Sequence, residues 1–285
     1  MENILYLLAS VSLTATRNIT SKKTAAASKG LSQFFFSQSV LFLSAALLLA
    51  ALNPAAFVKI SGITVIYGVI YGVLLILSQW MFTLALKRGS TSICSVVYSL
   101  GFILPTVSGA IFWSEPFTLL NLIGLILAVS VILLTVKKGD GEKKAGGGFA
   151  AFILIAMVAS GGLGIMQKLQ QSCPAKDERS LFLIIAFSFA FLGSALTYLF
   201  SKKEAKPQAS LIIYPAITGL CFGGANLLNT ILAGRMKSAV FFPLQNISTI
   251  LLSTLLGILI FKEKLTAKTA VIILLGALTV VIFSL

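Results

Sequence analysis

Two stretches of this 285-residue chain read alike: Ile111-Phe112-Trp113-Ser114-Glu115-Pro116-Phe117-Thr118 and Leu259-Ile260-Phe261-Lys262-Glu263-Lys264-Leu265-Thr266. In each, an apolar run ends in an aromatic residue. After one intervening residue comes a glutamate, then an apolar residue two places on, then a threonine that opens another apolar run. The two glutamates lie 148 positions apart, about half the chain. The pattern reads as one unit written twice, each copy with an apolar hairpin and an acidic turn.

Composition sets the class. Hydrophobic residues make up 58% of the chain and charged residues 11%, against about 25% charged in soluble domains. The charges bunch between apolar runs of roughly 18–25 residues, long enough to cross about 30 Å of hydrocarbon as helices. An all-α, multi-pass membrane protein follows. The net charge of +14 would suggest nucleic acid in a soluble chain. Here the Lys and Arg sit in short loops, where they set orientation or meet anionic headgroups, so no nucleic-acid partner is expected. Histidine is absent, which removes the commonest transition-metal ligand and general base. Cys94, Cys173 and Cys221 fit neither a zinc site nor a disulfide framework. No Ser/His or Cys/His pair, metalloprotease motif or phosphate-binding loop is present. The expectation is no enzyme, no metal and no cofactor.

Ten spans can be placed, at about 4–20, 31–52, 61–86, 91–113, 118–136, 149–170, 181–201, 209–234, 238–261 and 266–284. Met1-Glu2-Asn3 lacks a basic leader, so the first run is expected to be retained. Thr118 and Thr266 are placed to N-cap the helices they precede. The Lys- and Gly-rich stretch 137–148 reads as a linker between a first repeat, 1–136, and a second, 149–285. Further matches keep the same order. Lys87-Arg88-Gly89-Ser90 falls on Arg235-Met236-Lys237-Ser238, and Ala9–Leu13 falls on Ala159–Leu163. Arg17 and Lys168 each place a cation near the end of the first helix of a half. Gly68 and Gly72 match Gly219 and Gly223, small residues four apart that let helices approach closely. Five helices is an odd number, so two copies folded alike must be inverted in the bilayer, around a central cavity.

The duplicated aromatic-x-Glu-x-apolar-Thr turn, the five-plus-five helices and the cation ending the first helix of each half resemble the drug/metabolite transporter superfamily, in particular its EamA-like ten-helix members. That resemblance implies transport of a small metabolite across the cell membrane by alternating access, and names no cargo.

Polar groups within the spans are candidate solute contacts, because hydrocarbon penalises them when unpartnered. They are Ser10 and Thr14 in the first span; Tyr71, Gln79 and Trp80 in the third; Tyr98 in the fourth; and Gln167 in the sixth. Asn226 and Asn229 share a face of the eighth, and Gln245 and Asn246 follow Pro243 in the ninth. Pro243 and Pro105 are expected to kink their helices. Arg17, Lys168, Glu115 and Glu263 are candidate gating charges, for instance Glu263 with Arg17 or Lys168. The glutamates also suit the positive end of the helix that each turn precedes. No carboxylate lies within the spans, whereas Arg17 and Lys168 lie at matching ends of the first and sixth, so the solute is expected to be amino-acid-like or otherwise anionic or zwitterionic. A lipid-carrier flippase and a membrane scaffold or receptor are the alternatives. The small solute and the bilayer are the expected partners, and no signal sets an oligomeric state. The surplus of Lys in 137–148 favours a cytoplasmic linker, opposite to the orientation the resemblance implies.

Overall fold

The computed structural model describes residues 2–28, 30–135, 147–201, 208–261 and 266–284. These are helical throughout, with no strand among them: α1 (Glu2–Ala27), α2 (Leu31–Leu52), α3 (Gly62–Arg88), α4 (Thr91–Ser99), α5 (Ile103–Phe112), α6 (Leu119–Leu134), α7 (Phe149–Ser172), α8 (Arg179–Phe200), α9 (Ser210–Arg235), α10 (Ser238–Phe261) and α11 (Ala267–Ser284). Seven described stretches are long and apolar enough to cross a membrane: Leu31–Leu52, Gly62–Arg88, Ile93–Phe112, Phe149–Ser172, Lys176–Phe200, Ser210–Arg235 and Ser238–Leu259. α6 and α11 are apolar but shorter.

α1 runs past its expected end near residue 20. Its 26 residues correspond to about 39 Å of helix. Thr16, Thr20 and Thr24 each donate a hydroxyl to the carbonyl four residues back. That internal bonding satisfies the side chains and lets the helix continue where the apolar run stops. Pro105 has the opposite effect. The span expected at 91–113 divides into α4 and α5 around a 3₁₀ turn, Leu100–Phe102, because proline supplies no N–H to the carbonyl four residues earlier. α10, by contrast, continues through Pro243 and α9 through Pro215.

The chain forms two compact units. The first holds Met1–Ile76 and Leu169–Leu232, the second Leu77–Lys168 and Ala233–Leu285. Each therefore draws on both halves of the sequence. In the first unit α2 packs along α8 through alanines and phenylalanines, with Phe42, Phe187 and Phe222 forming a ring cluster at centroid separations of 5.4–6.5 Å. The two glycine pairs act reciprocally. Gly68 and Gly72 bring α3 against Phe182 and Ala186 of α8, while Gly219 and Gly223 bring α9 against Leu41 and Ala45 of α2.

In the second unit Phe102, Ala128, Val131, Ile132, Ile247 and Ile272 form a core shared by α6, α10 and α11. Ala85, Cys94, Ile153 and Ala156 form a smaller one. Both expected threonine caps are present. Thr118 Oγ1 accepts from Asn121 N–H at 3.2 Å and Asn121 Oδ1 accepts from Thr118 N–H at 2.9 Å. Thr266 Oγ1 accepts from Thr269 N–H at 3.2 Å. Thr118→Ala is expected to cost about 1 kcal/mol and Thr118→Ser much less. Thermal unfolding in detergent reads the difference.

Candidate functional site

The polar candidates fall into two groups, one in each compact unit. The first is built on α9, where Phe222, Asn226 and Asn229 recur at four and three residues and share a face. Asn226 is 6% exposed and spends both ends of its amide: Oδ1 accepts from Tyr71 OH at 2.6 Å, and Nδ2 donates to the Phe222 carbonyl at 2.8 Å. Tyr71 is itself buried, its ring edge-on to Phe182 at 5.1 Å. Asn229 is half-buried, and its Oδ1 accepts from Ser10 Oγ at 2.5 Å. The Asn229 Nδ2 has no partner among the described residues, so a donor is held in place by Ser10 and left available. Thr14 bonds the Ser10 carbonyl of its own helix at 2.8 Å.

Ser10 belongs to a seam along α1 and α9. The Arg17 guanidinium lies 4.3 Å above the Phe222 ring. The hydroxyls of Thr20 and Thr218 meet at 2.7 Å, and the Lys23 ammonium is 5.4 Å from the Tyr214 ring. Residue numbers rise on α1 as they fall on α9, so the two helices run antiparallel with cations over aromatic faces.

The second group lies on α3, α4, α7 and α10. Asn246 Nδ2 donates to the Ser99 carbonyl at 3.5 Å, where α4 gives way to its 3₁₀ turn. Gln245 and Gln79 are half-buried. Tyr98 is half-buried with its ring 4.7 Å from Phe82. Gln167 is buried, whereas Trp80 lies on the exposed side of α3.

Glu115 and Lys168 also meet in this unit. Lys168 Nζ lies 2.5 Å from Glu115 Oε1, with both side chains mostly buried, and it donates to the Met236 carbonyl at 3.3 Å. Glu115 Oε2 accepts from Ser238 N–H, the first residue of α10, at 2.6 Å. The expected destination for this carboxylate was the start of α6. The backbone explains the difference. Ser114 has φ 51°, and the Glu115 N–H returns to the Gly109 carbonyl at 3.1 Å. A side chain at Gly109 would collide with Glu115 Oε2 and Ser238. The chain turns back on itself, and only glycine at 109 leaves room for the carboxylate to reach α10. There it satisfies a backbone donor and the positive helix end together. Glu263 lies outside the described residues.

One further carboxylate was not anticipated. Glu178, in the α7–α8 connection, accepts from Ser61 N–H at 3.0 Å and from Ser61 Oγ at 2.7 Å, just before α3. Two helices are thus capped by glutamates from distant loops. A glutamate in a connection gives no indication of which helix it reaches. The Phe222 partner of Arg17 had a weak signal, four residues before Asn226 on the same face.

The described helices make a multi-pass membrane protein with its polar residues gathered on a few of them. The Sugar transport protein family model matches residues 46–285, and the chain belongs to that family, which is a transport family and not an enzyme family. It is 28% identical over 172 residues to the glucose uptake protein GlcU of Bacillus subtilis (strain 168), a match spanning 59% of this chain and 58% of that protein. A solved crystal structure superposes with a TM-score of 0.82 over 99% of this chain and 96% of its own, at 16% identity, which shows a shared fold. The resemblance to the drug/metabolite transporters thus holds at the level of a membrane transporter family, and the family identified is that of the sugar transport proteins.

Proposed function

We propose that this chain carries a neutral sugar, with glucose the first solute to test, across the cell membrane by alternating access between two inverted five-helix repeats. The match to the sugar transport family over 46–285 is the observation that carries the reading. The recurring turn and the reciprocal glycine packing of α3 on α8 and α9 on α2 support the repeat.

A sugar in place of an amino-acid-like or anionic solute corrects the earlier expectation, which counted cations without their partners. Lys168 is neutralised by Glu115, and Arg17 rests on an aromatic face. A sugar needs hydroxyl partners to replace its water, and the half-buried amide of Asn229, with a donor to spare, supplies one. Uptake of labelled glucose into proteoliposomes tests the reading. Uptake of labelled amino acids or sugar phosphates, with labelled glucose not taken up, would overturn it.

Within this reading the two α9 amides should part company. Asn229→Leu is expected to lower uptake about tenfold, as loss of one solute hydrogen bond does, with little change in melting temperature. Asn226→Leu should mainly destabilise, by about 1 kcal/mol, because it removes the acceptor of the buried Tyr71 hydroxyl. Equal losses of uptake and stability in Asn229→Leu would identify that residue as a helix contact only.

A further inference from the structure

Glu115 and Lys168 clamp the connection between α9 and α10 from both sides. The ammonium takes the carbonyl of Met236 and the carboxylate takes the N–H of Ser238, while the two charges meet each other. Three segments distant in sequence converge there: the α5–α6 turn, α7 and the start of α10. An apolar contact of the same size would hold them at least as well, since a buried ion pair adds little net stability over packed hydrocarbon. What the pair adds is reversibility, because water can take up each charge when the contact opens. Ser114, just before the carboxylate, has a left-handed backbone conformation that a non-glycine residue adopts at a cost. Downstream of the clamp, α10 carries Gln245 and Asn246, two turns or about 10 Å along the axis. The sequence repeats the spacing of this turn, with Gly109 six residues before Glu115 and Gly257 six before Glu263.

We propose that the Glu115–Lys168 pair is a latch that opens and recloses in each transport cycle, releasing the α9–α10 connection and with it the start of α10. The proposal rests on the transport reading. It is tested in full-length protein whose Cys94, Cys173 and Cys221 are replaced by Ala and which carries Glu115→Cys and Lys168→Cys. The two thiols are bridged by a cleavable bifunctional methanethiosulfonate. With the bridge in place, glucose uptake is expected to fall about tenfold or more. Reductive cleavage should restore uptake. Bridged protein that transports as fast as unbridged protein overturns the latch.

Should the double-cysteine protein be inactive before bridging, Lys168→Gln decides. A latch that weights one conformation over another predicts a KM shift of about fivefold or more, measured well below the melting temperature. An unchanged KM overturns it. Wild-type glucose uptake in the same vesicles tests the transport reading separately. If that uptake is absent, both fall; if present, a negative bridging result removes the latch alone.

Discussion

Glu115→Ala is expected to cost about 3 kcal/mol, the usual penalty for removing one member of a buried ion pair. The change strips Ser238 N–H of its acceptor and removes the carboxylate from beside the Lys168 ammonium, whose side chain is only 9% exposed. Glu115→Gln should cost roughly half as much, because an amide oxygen still accepts from Ser238 while the charge is lost. Combining Glu115→Ala with Lys168→Met removes the stranded cation and should recover most of the loss. Melting temperatures of the two single variants and the double variant, in one detergent, give the coupling directly. Additive losses would mean that the two side chains do not depend on each other.

Gly219→Ala is expected to be nearly as damaging as the loss of Glu115, although it adds only a methyl group. That methyl would overlap the backbone carbonyl oxygen of Leu41. A side chain could rotate away, but a helix backbone cannot without moving α2 or α9 as a whole. Overpacking of this kind costs about 1–3 kcal/mol, and Gly219→Val should leave little folded protein. Gly62→Ala is the control, since nothing lies within 4 Å of the added atom there. Yield of monodisperse protein on size exclusion, with a thermal melt, distinguishes them. A Gly219→Ala protein as stable as the Gly62→Ala protein would show that the α2–α9 approach is looser than described.

Features governed by local chemistry could be read from the sequence. The apolar runs became helices, Thr118 and Thr266 became caps, and the glycines four apart became close approaches. Features governed by distant partners could not. Nothing near Glu115 indicates that its carboxylate reaches Ser238, 123 residues on, in preference to the helix it directly precedes. Pro105 could be expected to bend a helix, but the full division into α4 and α5 also involves a 3₁₀ turn. The end of α1 was placed too early because hydropathy counts threonines as polar, while their hydroxyls were already bonded within the helix. The charge of the solute is hard to read from sequence for a related reason. Arg17 and Lys168 count equally in a sequence, whether or not a neighbour offsets them.

The seam between α1 and α9 also bears on how the protein is made. Ser10 and Asn229 are separated by 219 residues, so at about 5–20 residues per second the ribosome delivers the partner helix roughly 10–40 s after the first. α1 is not among the helices apolar enough to cross a membrane, and its cationic end has no aromatic seat until Tyr214 and Phe222 arrive. The packing partners of the N-terminal helix on α9 therefore exist only after most of the chain has been synthesised. A nascent chain halted before α9 leaves that helix unseated, a natural target for the quality-control proteases of the membrane.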